Sequence, residues 1–207
     1  YGRANKLSSN KGVSPASNSV LASRAGTMFG LDVNYDNGKK FTAGAGYHSL
    51  SLDGDAATTA TNSSSTVVGV DSMKIWNVGI GYKFRPTFNM TFDYSKNTNN
   101  NDNYNSDAAR GYNIQANYKG ATAANKGSFG IYAAYRNLGK LAGIASTYDG
   151  LNEGYKGWEL GTQYAFSQNI LGTLKYFKGT KMALGTNNTS DVDHDSSKIF
   201  GQVEFFF

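Results

Sequence analysis

Few side chains in this chain have the type and spacing to do chemistry. There is no cysteine, which removes thiolate and disulfide chemistry, and there are only two histidines. His48 lies at the end of an alternating run, with Asp53 and Asp55 just beyond it. Its neighbour Ser49 falls on the opposite side of an extended strand, so the two cannot form the nucleophile–base pair a hydrolase needs. Asp191-Val192-Asp193-His194-Asp195 spaces three carboxylates two apart, as some calcium loops do. Ser196 stands where such a loop needs its glycine and Gln202 where it needs its glutamate, so a solvated acidic loop tip is the favoured reading. Gly44-Ala45-Gly46 lacks the strand-to-helix setting of a phosphate loop. These residues predict no catalytic site and no cofactor, with Asp191, Asp193 and Asp195 the one weak metal candidate.

The remaining chemistry lies in charges spaced along alternating runs: Asp32, Lys83, Asp93, Arg136, Glu159, Lys175 and Glu204, with His48 among them. The runs that position them have period two, the signature of strands. Phe29, Leu31, Val33 and Tyr35 alternate with Gly30, Asp32 and Asn34, and Phe41 to Tyr47 with Thr42 to His48. The same pattern recurs at Trp76–Phe84, Phe88–Tyr94, Tyr112–Tyr118, Phe129–Tyr135, Trp158–Phe166, Ile170–Tyr176 and Ile199–Phe207, for nine strands in all. The joints alternate in length. Asp36-Asn37-Gly38-Lys39, Arg85-Pro86-Thr87, 119–127 and Ser167-Gln168-Asn169 are short; 51–72, 96–108, 137–155 and 179–197 are long and rich in Asn, Ser, Thr, Asp and Ala. Short turns at one end and long loops at the other predict an antiparallel transmembrane β-barrel of the outer-membrane kind.

Three features choose the face that meets lipid. The apolar face carries an aromatic near each end of most strands, with Phe29, Tyr47, Trp76, Tyr94, Tyr112, Tyr135, Trp158 and Tyr176 towards the long loops. Tyr35, Phe41, Phe84, Phe88, Tyr118, Phe129, Phe166 and Phe207 fall towards the turns, and such paired belts suit two membrane interfaces. Glycine falls on the polar face at Gly30, Gly44, Gly46, Gly79, Gly81, Gly111, Gly130 and Gly161, where it leaves room and eases curvature. The charges named above would be costly in a filled core and cost little on a hydrated lumen. They are the predicted pore lining, where opposed charges would orient solutes, or each would simply bridge a neighbouring strand. With four acids and three bases, no strong ion preference is expected. Whether the long loops fold inward is not legible in the residues.

The bulk numbers agree. Charged residues are 17% and no window approaches 18 consecutive apolar residues, which argues against both a disordered chain and a transmembrane helix. The net charge of +5 is scattered without a basic run, which gives no reason to expect nucleic acid. A mean hydropathy of -0.47 is compatible with a barrel, half of whose strand residues face water. Residues 1–207 are read as one barrel domain in which 1–25 is mainly an extracellular loop. Because single-chain barrels have even strand numbers and a bilayer tolerates no open edge, nine strands predict the C-terminal part of a larger barrel. A ten-stranded barrel with an irregular first strand is the alternative. The expected function is passive diffusion of small hydrophilic solutes across a bacterial outer membrane, in contact with its lipids.

Two stretches resemble known proteins. Ile199-Phe200-Gly201-Gln202-Val203-Glu204-Phe205-Phe206-Phe207 resembles the C-terminal signal of outer-membrane barrels, with its glycine one place displaced. The resemblance implies recognition of the last strand by the barrel-assembly machinery. Gly157-Trp158-Glu159-Leu160-Gly161-Thr162-Gln163-Tyr164-Ala165-Phe166 and Leu171-Gly172-Thr173-Leu174-Lys175-Tyr176-Phe177 are similar to the barrel of S-layer-homology porins of double-membraned Firmicutes. That resemblance implies a trimeric, sixteen-stranded porin. It also implies an alternative role, anchoring the outer membrane to the cell wall through an S-layer-homology domain to which no residue here corresponds.

Overall fold

The computed structural model describes residues 2–4, 26–52, 72–99, 106–143, 151, 153–182 and 194–207. They form ten strands: β1 (Gly2–Ala4), β2 (Gly26–Asp36), β3 (Phe41–Leu52), β4 (Ser72–Arg85), β5 (Phe88–Asn97), β6 (Arg110–Lys119), β7 (Phe129–Leu138), β8 (Tyr155–Ser167), β9 (Ile170–Lys181) and β10 (Asp195–Phe205). A short 3-10 turn, Ser106–Ala109, precedes β6. All ten belong to one antiparallel sheet in which each strand pairs only with its neighbours in sequence, from β1 to β10. The protein is all-β, as the alternation predicts. β1 is short, pairing Gly2 with Met28, and no ladder joins it to β10 among the described residues. The last joint is shorter than expected, because β9 runs on to Lys181 and β10 begins at Asp195.

The tight turns follow from their residues. In Asp36-Asn37-Gly38-Lys39, Gly38 adopts φ 69°, which glycine reaches without a Cβ penalty. The Asp36 carboxylate accepts from Gly38 N at 2.8 Å, and Asn37 Oδ1 accepts from the amides of Lys39, Lys40 and Phe41. Two joints, Arg85-Pro86-Thr87 and Ser167-Gln168-Asn169, carry a register shift next to the turn, between Lys83 and Arg85 and between Ala165 and Ser167.

Burial is inverted relative to a water-soluble sheet. Along the middle of the strands the apolar side chains are the exposed ones: Leu31, Val33, Val78, Ile80, Ile131, Leu160 and Leu174 all stand on the outer face. Aromatic rings border that stretch on both sides. Towards the turns, Tyr35 meets Phe41, the Phe84 ring lies between Tyr82 and Phe88, and Tyr164 meets Phe166. Towards the loops, Tyr47 meets Trp76 at 4.6 Å, and Tyr135 bridges Tyr112 and Trp158. From Trp76 to Phe84 is eight residues, about 27 Å of extended strand.

On the loop side of the tryptophans the polarity of the two faces swaps. There the outer face carries Ser49, Lys74, Lys96, Asn137, Lys156 and Lys178, in direct cross-strand register with one another or with the belt rings, and Ser51 opposite Ser72. The inner face carries Leu50 and Met73, paired with each other and each 1% exposed, together with Ile75 and Phe177. Leu141, Ala142, Leu151, Ala108 and Ala109 from the connecting segments are buried with them. This end of the sheet is built like a soluble protein, and the stretch between the aromatic rows is built the opposite way.

Candidate functional site

The concave polar face is the site. Residues of β2 to β7 line one cavity of about 1080 Å³, among them Asp32, His48, Asn77, Asp93, Asn113 and Arg136. Period-two alternation brings them to one face, and the register confirms each pairing: Gly30 opposite His48, Asp32 opposite Gly46, Asn113 opposite both Asp93 and Arg136. The wall has two unlike halves.

Across β2 to β4 the wall is thin. Glycine faces polar residues or other glycines, as in Gly44 opposite Gly79 and Gly46 opposite Asn77. A Cβ added at Gly46 would strike the Asp32 carboxylate and the Asn77 amide. The bare backbone there is what lets these side chains lie flat along the wall. His48 Nε2 and Asp32 Oδ1 lie 3.1 Å apart, with side chains 28% and 49% exposed. Ser49 is on the outer face opposite Phe29, as alternation requires, so no Ser–His pair exists.

Across β5 to β8 the wall is filled by a hydrogen-bonded network. The Arg136 guanidinium donates to Glu159 Oε1 from Nε at 3.2 Å and from NH2 at 2.9 Å, and the pair is only 5% and 2% exposed. It also donates to Asn113 Oδ1 and Gln115 Oε1, both at 2.8 Å. The Tyr132 hydroxyl donates to the same Glu159 oxygen at 2.9 Å. Asn113 passes the chain on to Asp93, and Gln115 passes it through Asn117 to Asn89. The partners converge on Glu159 Oε1, while its buried Oε2 has no hydrogen-bond partner among the described residues, so Arg136 is what offsets the buried carboxylate; a lone charge there would be costly. Of the two roles foreseen for the lining charges, bridging neighbouring strands is the one Arg136 and Glu159 perform.

The other expected residues fall as follows. Lys83, opposite Asn89 near the turns, is on the inner face and exposed. Lys175 is on the inner face of β9, its Nζ 5.4 Å from the centre of the Phe200 ring. Glu204 is on the inner face of β10 opposite Leu171. Phe29, Tyr35, Tyr47, Trp76, Tyr94, Tyr112, Tyr118, Tyr135, Trp158 and Tyr176 are on the outer face, and Phe207 is exposed two residues past β10. Asp191 and Asp193 lie outside the described residues, and Asp195 opens β10. Among the described residues no three His, Asp or Glu side chains gather as metal ligands.

Sequence reasoning missed three things here. It did not assign Phe177 and Phe200 to the inner face, because Tyr176-Phe177 and Ile199-Phe200 are apolar on both sides and break the alternation. It did not single out Asn113 and Gln115 as partners of Arg136, or Tyr132 as a partner of Glu159, since partnership depends on the register between residues 21 to 27 apart on neighbouring strands. It left open whether loops turn inward. The segment after β7 does: Leu141 N donates to Ala108 O, and Ala142, Gly143 and Leu151 join Arg136 in the cavity wall.

No known family matches the chain, and no curated protein matches it.

Proposed function

We propose that this chain belongs to a bacterial outer-membrane β-barrel of the porin type, passing small hydrophilic solutes by passive diffusion. The observation that carries the reading is the swap of polarity on the loop side of the tryptophans. The outer face is apolar only between two rows of aromatic rings, and the inner face is polar and glycine-rich over that same stretch. A sheet wholly in water has no reason to change faces part-way along its strands. A sheet crossing a bilayer has one at each interface. In lipid the free edge of β10 must find a partner, either the opposite edge of this sheet or further strands. The resemblance of the barrel to S-layer-homology porins supports the same reading and adds a trimer and insertion through the barrel-assembly machinery.

The cavity wall also supports a weak preference for cations. Asp32, Asp36 and Asp93 are exposed on it, whereas Arg136, its one lining Arg or Lys among the described residues, is occupied by Glu159. Planar-bilayer recording of the full-length protein tests the proposal. Discrete conductance steps are expected, and a protein that inserts without any step would overturn the pore. A second reading, a barrel that serves only as an anchor, is favoured by the filled inner face of β7 to β9, where Arg136, Glu159 and Phe177 are buried. Insertion without conductance is the outcome that reading expects.

A further inference from the structure

Three donor atoms of the thin wall come together at one place, above the bare backbone of Gly46. Asp32 lies opposite Gly46 on one side and Asn77 on the other, so the three residues form one row across β2, β3 and β4. A Cβ at Gly46 would strike Asp32 Oδ1 and Asn77 Oδ1 alike, so both oxygens lie over that position. His48 is two residues further along β3 on the same face. Its ring lies against Gly30, where a Cβ would meet Nδ1 at 2.9 Å, and its Nε2 is 3.1 Å from the same Asp32 oxygen. All three side chains belong to the cavity wall.

A hydrogen bond between His48 and Asp32 accounts for two of these atoms but not for the third. Asn77 Oδ1 is shut off from solvent and has no hydrogen-bond partner among the described residues. It shares its place with an oxygen of the ionised Asp32 carboxylate, and neither acceptor carries a proton to offer the other. What suits two oxygens and an imidazole nitrogen together is a cation. An imidazole ligand favours first-row divalent metals such as Ni²⁺ or Zn²⁺ over Ca²⁺ and Mg²⁺, which take oxygen. The spacing of Nε2 and Oδ1 agrees, because two neighbouring ligands each about 2.1 Å from one ion stand about 3 Å apart.

We propose that Asp32, His48 and Asn77 form a low-affinity site for a divalent first-row transition-metal ion, which makes such ions, still partly hydrated, a substrate class of the pore. The role in transport rests on the pore reading above; the binding does not. Three protein donors leave the lumen side of the ion to water, and a single carboxylate leaves part of its charge unneutralised. An ion held in this way is released readily, and release is what conduction through a site requires. Towards the turns the next row offers further oxygens, Asn34 Oδ1 over Gly44 and Asp93 Oδ1 over Gly79, and those two glycines are directly opposite each other. A released ion therefore passes along the glycine wall from one set of acceptors to the next.

The test is isothermal titration of the untagged full-length protein in detergent with Ni²⁺, read beside single-channel conductance in planar bilayers. We expect a site that takes Ni²⁺ but not Mg²⁺ at the same concentration, and a K⁺ current that falls as Ni²⁺ occupies it. His48→Gln and Asn77→Ala should each weaken binding by about tenfold or more. Asn77→Asp, which puts a second carboxylate in the same volume, should tighten it. His194→Gln, at the chain's other histidine, should leave it unchanged. Absence of Ni²⁺ binding overturns the inference. So does unaltered affinity in Asn77→Ala, the result if the Asn77 amide is turned to donate to Asp32. An equal response to Mg²⁺ overturns it as well, since that is general screening of the carboxylate. Ni²⁺ binding by a protein that inserts without conductance steps would sink the pore reading and leave the site standing; conductance steps without Ni²⁺ binding would do the reverse.

Discussion

The two halves of the inner wall are made by the same strand alternation, yet one is open and the other closed. On β2 to β4 the inward positions alternate glycine with short polar residues, and the His48–Asp32 pair stays half in water. On β5 to β8 the inward positions are Asn113, Gln115, Tyr132, Arg136 and Glu159, and their side chains bond to one another until the charges are buried. Strand geometry sets which way a side chain points. The volume and bonding capacity of the inward residues set whether a wall leaves space or fills it.

That contrast can be broken most severely at Arg136. Arg136→Met leaves the buried Glu159 carboxylate without its counter-ion, and urea titration of the refolded protein should show a loss of about 3–5 kcal/mol. Replacing both, Arg136→Met with Glu159→Leu, should recover most of it, because the cost belongs to the orphaned charge. Full loss in the double variant would mean the network is needed for more than charge balance.

Ile80→Arg asks whether the outer face shared by both halves is in lipid. Ile80 is 53% exposed near the middle of β4, so in water an arginine there should cost no more than about 0.5 kcal/mol. In a bilayer the same change should weaken folding into vesicles by about 2–4 kcal/mol.

The open half is probed by Gly46→Val. The added side chain must displace Asp32 or Asn77, so single-channel conductance should fall. Gly201→Val on the outer face of β10, where an added Cβ meets nothing within 4 Å, should leave conductance unchanged. The smallest effect is expected at Asp32→Asn. Its pair with His48 is exposed, so stability should change by only about 0.2–1 kcal/mol, while the reversal potential in a salt gradient should move away from cation preference.

The strands were legible because one face of each is apolar over a bilayer's thickness, and alternation at Phe29–Tyr35 or Trp158–Phe166 has no competing reading. The belts were legible too, since Trp76, Tyr135 and Trp158 occupy equivalent places in their runs. The polarity swap was not. It falls at strand ends such as Ser49-Leu50-Ser51 and Lys74-Ile75, where the runs are too short to carry a period and only the register of Leu50 with Met73 reveals the inward face. The pairing of Arg136 with Glu159 was hidden for a related reason. Both residues read as wall charges on consecutive strands, and nothing local says that the register brings them within reach of each other.

Every strand pairs only with the strand before and after it in the chain. Each new ladder therefore closes a loop no longer than one connection, and the entropic cost of bringing distant segments together is never incurred within these residues. Assembly can advance like a zip, hairpin by hairpin, with each finished strand offering the template for the next. A half-made sheet of this kind has one fixed edge, at its first strand, and one that moves along the chain as the work proceeds. What must be protected during biogenesis is thus a standing border and a travelling one rather than a scattered set of surfaces.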